Sequence, residues 1–361
     1  MRTLPTRLGR MLATLLATLL AVATLTGCTE TKVTRELVSF DPLNDGVLAV
    51  LDANAGHPPG TRPLAEALKG LLPGVDVVTT TTQTDQDARI RAAADQGIGI
   101  LLVQAVDPTR VGSAMEAAQD DGVLVVAVDT IPKDVGSIDL YVGWDEFSIG
   151  EQEVAAFAAH VGTSDGTKHV ELFAGDKDDL RAMARFNGAM FALKAFSENG
   201  TIVVKSGQTS FGTAALSPGD TAAARKRLTT TYQVTYPRHQ LDGVVIPSDS
   251  MAPTVIEVAR EQGHRPPLLM SSGTSAEGVR MLFSGELLTT QYRDPAVLAA
   301  RVQQVVNQVR AGQEVETNPQ SARRNRLKKT PSVLVSPVLV TAHNAASVLA
   351  RNPELAPLTK A

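Results

Sequence analysis

Acidic side chains follow several short apolar runs of this sequence, at places where a carboxylate could bind a polar ligand. Carboxylates accept hydrogen bonds from vicinal hydroxyls, and arginine donates them. Any one of these acids could instead cap a helix, but their recurrence after successive apolar runs favours a ligand site. The candidate ligand-binding residues from this pattern are Asp107, Asp129, Asp178, Asp249, Thr274 and Arg293.

Patterns that could indicate catalysis or metal binding are weaker. Gly162–Gly166 satisfies G-x-S-x-G, but a helix is predicted before it and a strand after it, whereas a nucleophile elbow joins a strand to a helix. The six histidines are scattered, with no i, i+4 pair for zinc. The run Asp176–Asp179 lacks the glycine and distal glutamate of an EF-hand loop. We predict no enzyme activity, no catalytic residue, no metal site and no cofactor.

The N-terminus has the pattern of an export signal. Three arginines precede the apolar run Met11–Leu25, which as a helix would span about 22 Å and is too short to cross a bilayer. The run ends in Leu-Thr-Gly-Cys, and this ending resembles the lipobox of bacterial lipoproteins. We therefore expect cleavage after residue 27 and lipidation of Cys28, the only cysteine of the chain. The alternative is an ordinary signal peptide with a chance cysteine.

Composition narrows the range of partners. Loss of residues 1–27 removes three arginines and no acid, so the formal net charge falls from −4 to −7. Such a charge argues against nucleic acid as a partner. A chain that is 43% hydrophobic can bury a large core. Residues 28–43 are predicted to be a polar, lipidated tether between the bilayer and the folded body.

Short apolar runs alternate with helical patterns along the rest of the chain. The runs lack polar alternation, as expected of parallel strands buried on both faces. Predicted strands are Gly46–Leu51, Val75–Thr79, Ile98–Val103, Val123–Val128, Val170–Phe173, Ile202–Lys205, Gly243–Ile246, Leu268–Met270, Leu287–Gln291 and Val333–Val340. Predicted helices are Arg62–Leu72, Asp85–Gln96, Thr109–Asp120, 147–160, 179–198, 219–232, 250–262, 276–284 and Pro295–Arg310. This order predicts an α/β protein with two doubly wound parallel sheets, and a ligand cleft where their strand ends face each other.

Residues 95–150 and 168–345 resemble periplasmic sugar-binding proteins of the xylose and multiple-sugar type. The resemblance rests on the runs Gly122–Asp129, Val170–Gly175, Asp178–Asp179, Asn187–Met190, Ile202–Gln208, Leu241–Asp249 and Pro337–Thr341. It implies a type I solute-binding protein of an ABC importer, with two lobes that close on a monosaccharide across a three-strand hinge. Its partners would be a small-molecule ligand and an ABC permease.

The resemblance carries over to some site positions and fails at others. Asp129 and Asp249 match family acids, and Arg293 begins a matching basic-acidic pair. The arginine that usually follows the first acid is Thr130 here. Leu180-Arg181 replaces the family's asparagine pair, and Ser272–Ser275 replaces a Gly-Gln-Asp. The stacking rings are also missing, since residues 52–63 contain no Phe, Tyr or Trp, and a family tryptophan has become Ser217.

We expect from this that the fold is kept while the ligand is changed or lost. Asp129 and Asp249 should converge in the cleft from different lobes, with Asp107 and Asp178 near them. Arg181 should supply the missing positive charge. Trp144, the only tryptophan, either borders the cleft or packs in a core.

The predicted organisation has two lobes, each built from separate stretches of chain. The N-terminal lobe would comprise 44–131 plus 292–331, and the C-terminal lobe 132–291 plus 332–361. Crossings between the lobes are expected near 130–141, 291–295 and 331–337. The basic run Arg323–Lys329 is predicted to be a solvated loop, or else a docking patch for a permease.

Two other functions are compatible with or close to this fold. A sensory receptor that reports a ligand to a membrane partner would look the same in sequence. A transcription regulator of related fold is excluded, because an export signal stands where a DNA-binding helix pair would be.

Overall fold

The computed structural model describes residues 36–42, 44–162, 166–217, 219–317, 323–325 and 327–360. The predicted signal sequence and Cys28 lie outside these residues, as do the central residues of Gly162–Gly166. Within the described part of the chain, every helix is too short or too polar to span a bilayer.

The described strands and helices follow the predicted alternation. The strands are β1 Glu36–Val38, β2 Gly46–Asp52, β3 Asp76–Thr80, β4 Ile98–Val103, β5 Leu124–Val128, β6 Leu140–Trp144, β7 Lys168–Leu172, β8 Ile202–Val203, β9 Gly243–Ile246, β10 Leu268–Ser271, β11 Leu287–Tyr292, β12 Val315–Thr317, β13 Arg323–Arg324, β14 Lys329–Thr330, β15 Ser332–Val335 and β16 Val338–Val340. The helices are α1 Leu64–Leu71, α2 Gln83–Arg91, α3 Gly112–Asp120, α4 Glu146–Val161, α5 Leu180–Glu198, α6 Phe211–Ala214, α7 Thr221–Val234, α8 Ala252–Glu261, α9 Ala276–Ser284, α10 Pro295–Arg310 and α11 Ala345–Val348. Short 3-10 segments cover Ala94–Gln96, Asp249–Met251 and Ala356–Lys360.

Lobe 1 is built on a six-stranded parallel sheet with the order β15-β6-β5-β4-β2-β3. Every residue of β4, β5 and β6 is buried, because helices cover both faces. The apolar sides of α1 and α10 pack on one face, and those of α2 and α3 pack on the other. Val302, Val305, Val306 and Val309 of α10 are buried in this core.

Lobe 2 repeats the arrangement with the order β16-β11-β10-β9-β7-β8. Only β16 in this sheet runs antiparallel to its neighbour, β11. Helices α7, α8 and α9 and the segment 345–355 cover one face, while α4, α5 and α6 cover the other. The predicted fold class, two doubly wound parallel-sheet lobes, is confirmed.

The chain crosses between the lobes three times in the described residues, and the predicted position of the first crossing is wrong. We placed it at 130–141, but β6 pairs in parallel with β5 and so belongs to lobe 1. The crossing lies at Asp145, between β6 and α4. Residues 129–139 contain no helix, although parallel neighbours are usually joined through one. Without that helix, the strand–helix alternation did not predict β6, although Leu140–Trp144 is itself an apolar run.

The other two crossings lie where we expected them. β11 in lobe 2 is followed by α10 on lobe 1, and β15 in lobe 1 is followed by β16 in lobe 2. The single strand predicted at Val333–Val340 is therefore two strands separated by Ser336-Pro337. Proline cannot donate a backbone hydrogen bond to a sheet, and the chain changes lobe at that point. Residues 132–144 and 332–335 consequently belong to lobe 1, and not to the C-terminal lobe as predicted.

Two segments expected to be loops are more ordered than predicted. Glu36–Val38, inside the predicted tether, pairs antiparallel with Val315–Thr317, and Phe40 packs against the core of lobe 1. In the basic run, β13 and β14 form an antiparallel hairpin. The buried Asn325 at its turn donates a side-chain hydrogen bond to the Val135 carbonyl. The buried side-chain amide of Asn325 thus attaches the basic run to lobe 1.

Helices α4 and α5 are in very close contact, and two glycines allow it. A Cβ at Gly188 would lie 1.9 Å from the Phe147 carbonyl oxygen, and one at Gly150 would lie 2.0 Å from the Arg185 carbonyl oxygen. A bidentate ion pair lies in the same contact, where Arg185 donates to Glu153 at 2.9 and 2.8 Å. Both partners are buried. Burial raises the pKa of Glu153, and the Arg185 charge opposes that rise.

A second ion pair ties two crossing segments together. Glu146 begins α4 just after the first crossing, and Arg293 follows β11 at the second crossing. Arg293 Nη2 donates to Glu146 Oε2 at 2.8 Å, and both side chains are largely buried. The residues are 147 positions apart in sequence, so the pair fixes the junction of the lobes.

We predict that Gly188→Ala destabilises the protein by about 1–3 kcal/mol, because the added methyl overpacks the α4–α5 contact. Urea unfolding monitored by circular dichroism would measure this change. Gly212→Ala is the matched control, since a Cβ at Gly212 meets no atom within 4 Å. If the two variants are equally stable, α4 and α5 are not in close contact at Gly188.

We also predict that Glu146→Ala lowers the free energy of unfolding by about 1.5–3 kcal/mol, because it leaves a largely buried guanidinium without its charged acceptor. The control is Glu198→Ala, which breaks an exposed pair with Lys194 and should change stability little. If both variants unfold at the urea midpoint of the unmodified protein, the junction does not depend on this pair.

Candidate functional site

A cleft of about 820 Å³ lies between the lobes at the carboxyl ends of both parallel sheets. Gln104 and Asp129 follow β4 and β5 of lobe 1, and Ala174, Pro247 and Ser272 follow strands of lobe 2. This is the position that open α/β sheets leave for a ligand, and the volume lies within the usual range for ligand pockets. Polar side chains in the lining are His57, Gln104, Asp129, Glu146, Asp176, Asp179, Arg181, Arg185, Ser248, Asp249, Ser250, Ser272, Thr274, Ser275, Glu277, Gln291 and Arg293.

Asp129 lines the cleft from lobe 1 in an unusual backbone conformation. Its φ is +61°, in the left-handed region that aspartate tolerates better than most residues. Tyr141 donates from its hydroxyl to the Asp129 carbonyl oxygen at 2.7 Å, and Gln104 Nε2 donates to the carboxylate at 2.9 Å. Non-glycine residues held in this region cluster at functional sites. The surrounding residues thus hold the Asp129 carboxylate in one position.

Arg181 lies between carboxylates of the two lobes. Its Nη1 is 3.4 Å from Asp129 Oδ2 in lobe 1, and its Nε is 3.4 Å from Asp179 Oδ1 in lobe 2. Burial opposes the charge of Arg181, but the carboxylates of Asp179, Asp129 and Glu146 outweigh that effect and raise its pKa above the ordinary value. Arg181 therefore carries the positive charge expected at this position, and its contact with a ligand stays a prediction.

Asp178 does not line the cleft, contrary to our expectation. Its carboxylate contacts the Lys133 ammonium, so this pair joins lobe 2 to the loop after β5 of lobe 1. Leu180, which follows Asp178 by two residues, is buried in the hydrophobic cluster of lobe 1. The start of α5 therefore contacts lobe 1 through a charge and through an apolar side chain.

Asp107 also lies outside the cleft lining. Its Oδ1 accepts hydrogen bonds from the Thr109 backbone nitrogen at 2.9 Å and from the Thr109 hydroxyl at 2.6 Å. The carboxylate thus stabilises the turn that leads to α3. The geometry of Asp107 therefore fits a role in this local turn, and it does not fit the predicted ligand contact.

Asp249 lines the cleft, but most of its hydrogen-bonding capacity is already used. Oδ2 accepts from the Ser275 backbone nitrogen and hydroxyl at 2.7 and 2.8 Å, and Oδ1 accepts from the Thr290 hydroxyl at 3.3 Å. Its side chain is also packed against Gly278, where a Cβ would lie 2.1 Å from Oδ2. Asp249 and Asp129 thus share one cleft as expected, while Asp249 holds the start of α9 in place.

Thr274 and Arg293 line the lobe 2 side, and both bond to the protein itself. The Thr274 hydroxyl donates to the Gln291 carbonyl oxygen. Arg293 donates to the Ser272 carbonyl oxygen and to Glu146. Two buried polar atoms of this wall have no hydrogen-bond partner among the described residues, namely Arg293 Nε and Gln291 Oε1. Both atoms are shielded from solvent by the wall itself.

The cleft contains further residues that sequence reasoning missed. Gln104 directly follows β4. The expectation that acids at strand ends line the cleft would have found Gln104 if it had included amides. Gln291 lies inside β11, and Glu146 follows β6, which was not predicted. Trp144 satisfies both of its proposed roles, since it lines the cleft and belongs to the lobe 1 core.

The residues that hold charge in the cleft do not form a metal site. Among the described residues, no group of three or more His, Cys, Asp or Glu side chains could hold a metal ion. The order around Gly162–Gly166 is helix α4 followed by strand β7, which is not the strand-to-helix turn of a nucleophile elbow.

Sequence comparison finds relatives that are described as multiple sugar-binding proteins. The chain is 27% identical over 272 residues to the multiple sugar-binding periplasmic receptor ChvE of Rhizobium radiobacter, covering 73% of this chain and 77% of the relative. It is 27% identical over 267 residues to the multiple sugar-binding periplasmic protein SbpA of Azospirillum brasilense, covering 72% and 74%.

Structural comparison supports the fold. The solute-binding protein of an ABC transporter from Clostridium phytofermentans, solved with bound β-D-glucose, superposes with a TM-score of 0.68 at 22% identity and covers 84% of this chain and 96% of its own. The sequence profile of the periplasmic binding protein domain matches residues 64–314. Since this match spans more than half of the chain, the chain belongs to the periplasmic binding protein family, whose members are extracytoplasmic binding proteins.

Proposed function

We propose that this protein captures a small hydroxylated ligand, a carbohydrate, and delivers it to the permease of an ABC importer. The observation that carries the proposal is the cleft between the lobes, where Asp129 and Gln104 of lobe 1 lie across from the polar wall of lobe 2. The two relatives are described as multiple sugar-binding proteins, which supports a carbohydrate as the ligand class. The protein would perform no chemical step.

The geometry supports different roles for the predicted residues. We assign ligand contact to Asp129, Arg181 and Arg293, and we add Gln291 because it lines the cleft and its side-chain amide oxygen Oε1 has no hydrogen-bond partner within the described structure. Asp249 and Thr274 hold neighbouring backbone in place. They shape the wall, and any ligand contact they make is secondary.

Ligand binding would act on the contacts that already join the lobes. Arg181 contacts carboxylates of both lobes, and Lys133 pairs with Asp178 across the same gap. A ligand hydroxyl that accepts from Arg181 or donates to Asp129 adds to these contacts in the closed form. Hinge closure of this kind is a common means of switching, and the closed form would dock on the permease.

We predict that Asp129→Asn weakens binding ten- to a hundred-fold, because one charged hydrogen-bond acceptor is lost at a cost of about 1.5–3 kcal/mol. Asparagine keeps the size of the side chain and tolerates the left-handed backbone. Calorimetric titration of residues 36–361 with monosaccharides and inositols would measure the dissociation constants.

Asp107→Asn is the matched control for this test, since Asp107 lies outside the cleft lining. It should leave the dissociation constant unchanged. If Asp129→Asn binds a confirmed sugar as tightly as the control does, the ligand does not contact the Asp129 carboxylate. If no sugar or inositol binds the unmodified protein, the proposed ligand class is wrong.

We further propose that a lipid on Cys28 anchors the protein on the outer side of the cytoplasmic membrane. The support is the short apolar run that ends in Leu-Thr-Gly-Cys at the only cysteine of the chain. A single cysteine leaves no internal disulfide partner, although the compartment is oxidising. Stable anchoring by the lipid would not require positive charge on the protein, which has a mature net charge of −7 by sequence.

We predict that Cys28→Ser abolishes lipid labelling and releases the protein from the membrane fraction, or leaves it unprocessed. Labelling cells with radioactive palmitate, followed by fractionation, would show this. A second chain that carries Cys28→Ser together with Ser39→Cys has a thiol beyond the signal and should also stay unlabelled. Lipid incorporation into Cys28→Ser would contradict the anchor.

A further inference from the structure

We propose that the ligand is amphipathic, namely a hydroxylated ring that carries an apolar substituent such as an alkyl or aryl group. This inference rests on the proposed function and narrows its ligand class. The hydroxylated ring would bind at the lobe 2 side, and the substituent would lie against an apolar wall of lobe 1.

The apolar wall is continuous with the core of lobe 1. Its members are Pro58, Pro59, Leu64, Trp144, Pro295 and Leu298. Leu64, Trp144 and Leu298 belong to one buried hydrophobic cluster, so one edge of that cluster reaches the cleft. Burial of an apolar group here would be favourable in proportion to the area removed from water.

The opposite wall offers a ligand few polar groups that are not already bonded. Arg181 contacts Asp129 and Asp179, Arg293 contacts Glu146, and Asp249 accepts three hydrogen bonds. In the described part of the cleft, the buried polar atoms without a partner are Gln291 Oε1 and Arg293 Nε. A ligand hydroxyl would therefore share Arg181, Arg293 and Asp249 with the bonds that they already make within the protein.

The rings that ordinarily bind sugar C–H faces are few. Among the described lining residues, the aromatic side chains are those of Trp144 and His57. Trp144 is only 4% exposed, so little of its face remains for stacking. Pro58 and Pro59 are half-buried and leave apolar surface towards the cleft. The cleft volume of about 820 Å³ leaves room for a substituent beside a ring.

The loop that carries the two prolines is fixed in place from lobe 2. Asn352 Nδ2 donates to the Pro59 carbonyl oxygen at 2.7 Å and to the Tyr292 hydroxyl at 3.3 Å. Gly60 follows with φ +70°, and a Cβ there would lie 2.4 Å from Asn352 Oδ1. Contacts within the protein thus hold the loop of the apolar wall in place, which reduces the entropic cost of binding against it.

The experiment compares matched methyl and phenyl glycosides, both anomers, of a panel of pentoses and hexoses by calorimetry on residues 36–361. We expect the best phenyl glycoside to bind at least ten-fold tighter than its methyl counterpart. Leu64→Asn and Pro59→Ser should each bring this ratio towards one. Val234→Asn, at an exposed position outside the cleft, should leave the ratio unchanged.

The outcomes separate this inference from the proposed function. Equal or weaker binding of every phenyl glycoside, with free sugars or methyl glycosides still bound, overturns the apolar substituent and leaves sugar capture standing. Absence of binding by the whole panel overturns sugar capture as well. If a wall variant fails to fold, the ratio measured on the unmodified protein decides, since it requires no substitution.

Discussion

The parallel sheets of this protein are covered by helices on both faces, and this constraint determines where a ligand can bind. Fully buried strands such as β4 and β5 present no side chain to solvent along their length. Their polar groups can reach solvent only where the strands end. Because both sheets direct their carboxyl ends at the same gap, the candidate site forms between the lobes and not within either of them.

Two arginines in that gap are each paired with a buried carboxylate. Arg185 is matched by Glu153 in the α4–α5 contact, and Arg293 is matched by Glu146 at the junction of two crossing segments. An unpaired charge at such depth would be costly, so the pairs permit a charged cleft in a closely packed protein. They also connect the hinge to the walls, since Arg293 and Glu146 are both lining residues.

The cleft differs between its two sides, and the difference bears on what the protein binds. Lobe 2 contributes serines, acids and arginines, while lobe 1 contributes a proline- and leucine-rich surface beside Asp129 and Gln104. Membership in the periplasmic binding protein family explains the two lobes and the cleft.

Periodicity and composition alone were sufficient for most of the fold. Ile98–Val103, Gly243–Ile246, the helix at 276–284 and Pro295–Arg310 have the bounds predicted for them, because an uninterrupted apolar run or a helical stripe is a local property of the chain. The strand-end rule likewise selected Asp129, Asp249, Thr274 and Arg293, which line the cleft. These residues are close to the strand ends in sequence, so their position in the fold follows from the strands.

Tertiary structure alone decided which strands share a sheet and which group each acid contacts. β6 joins lobe 1 through a loop without a helix, and Val333–Val340 divides between lobes at Ser336-Pro337. Asp249 contacts Ser275, which is 26 residues away, and Arg293 contacts Glu146 at a separation of 147. Asp107 instead accepts a hydrogen bond from Thr109, which is 2 residues away in sequence. The sequence determines that an acid stands at a strand end, but partners brought together by long-range packing determine whether it holds the framework or remains available to a ligand.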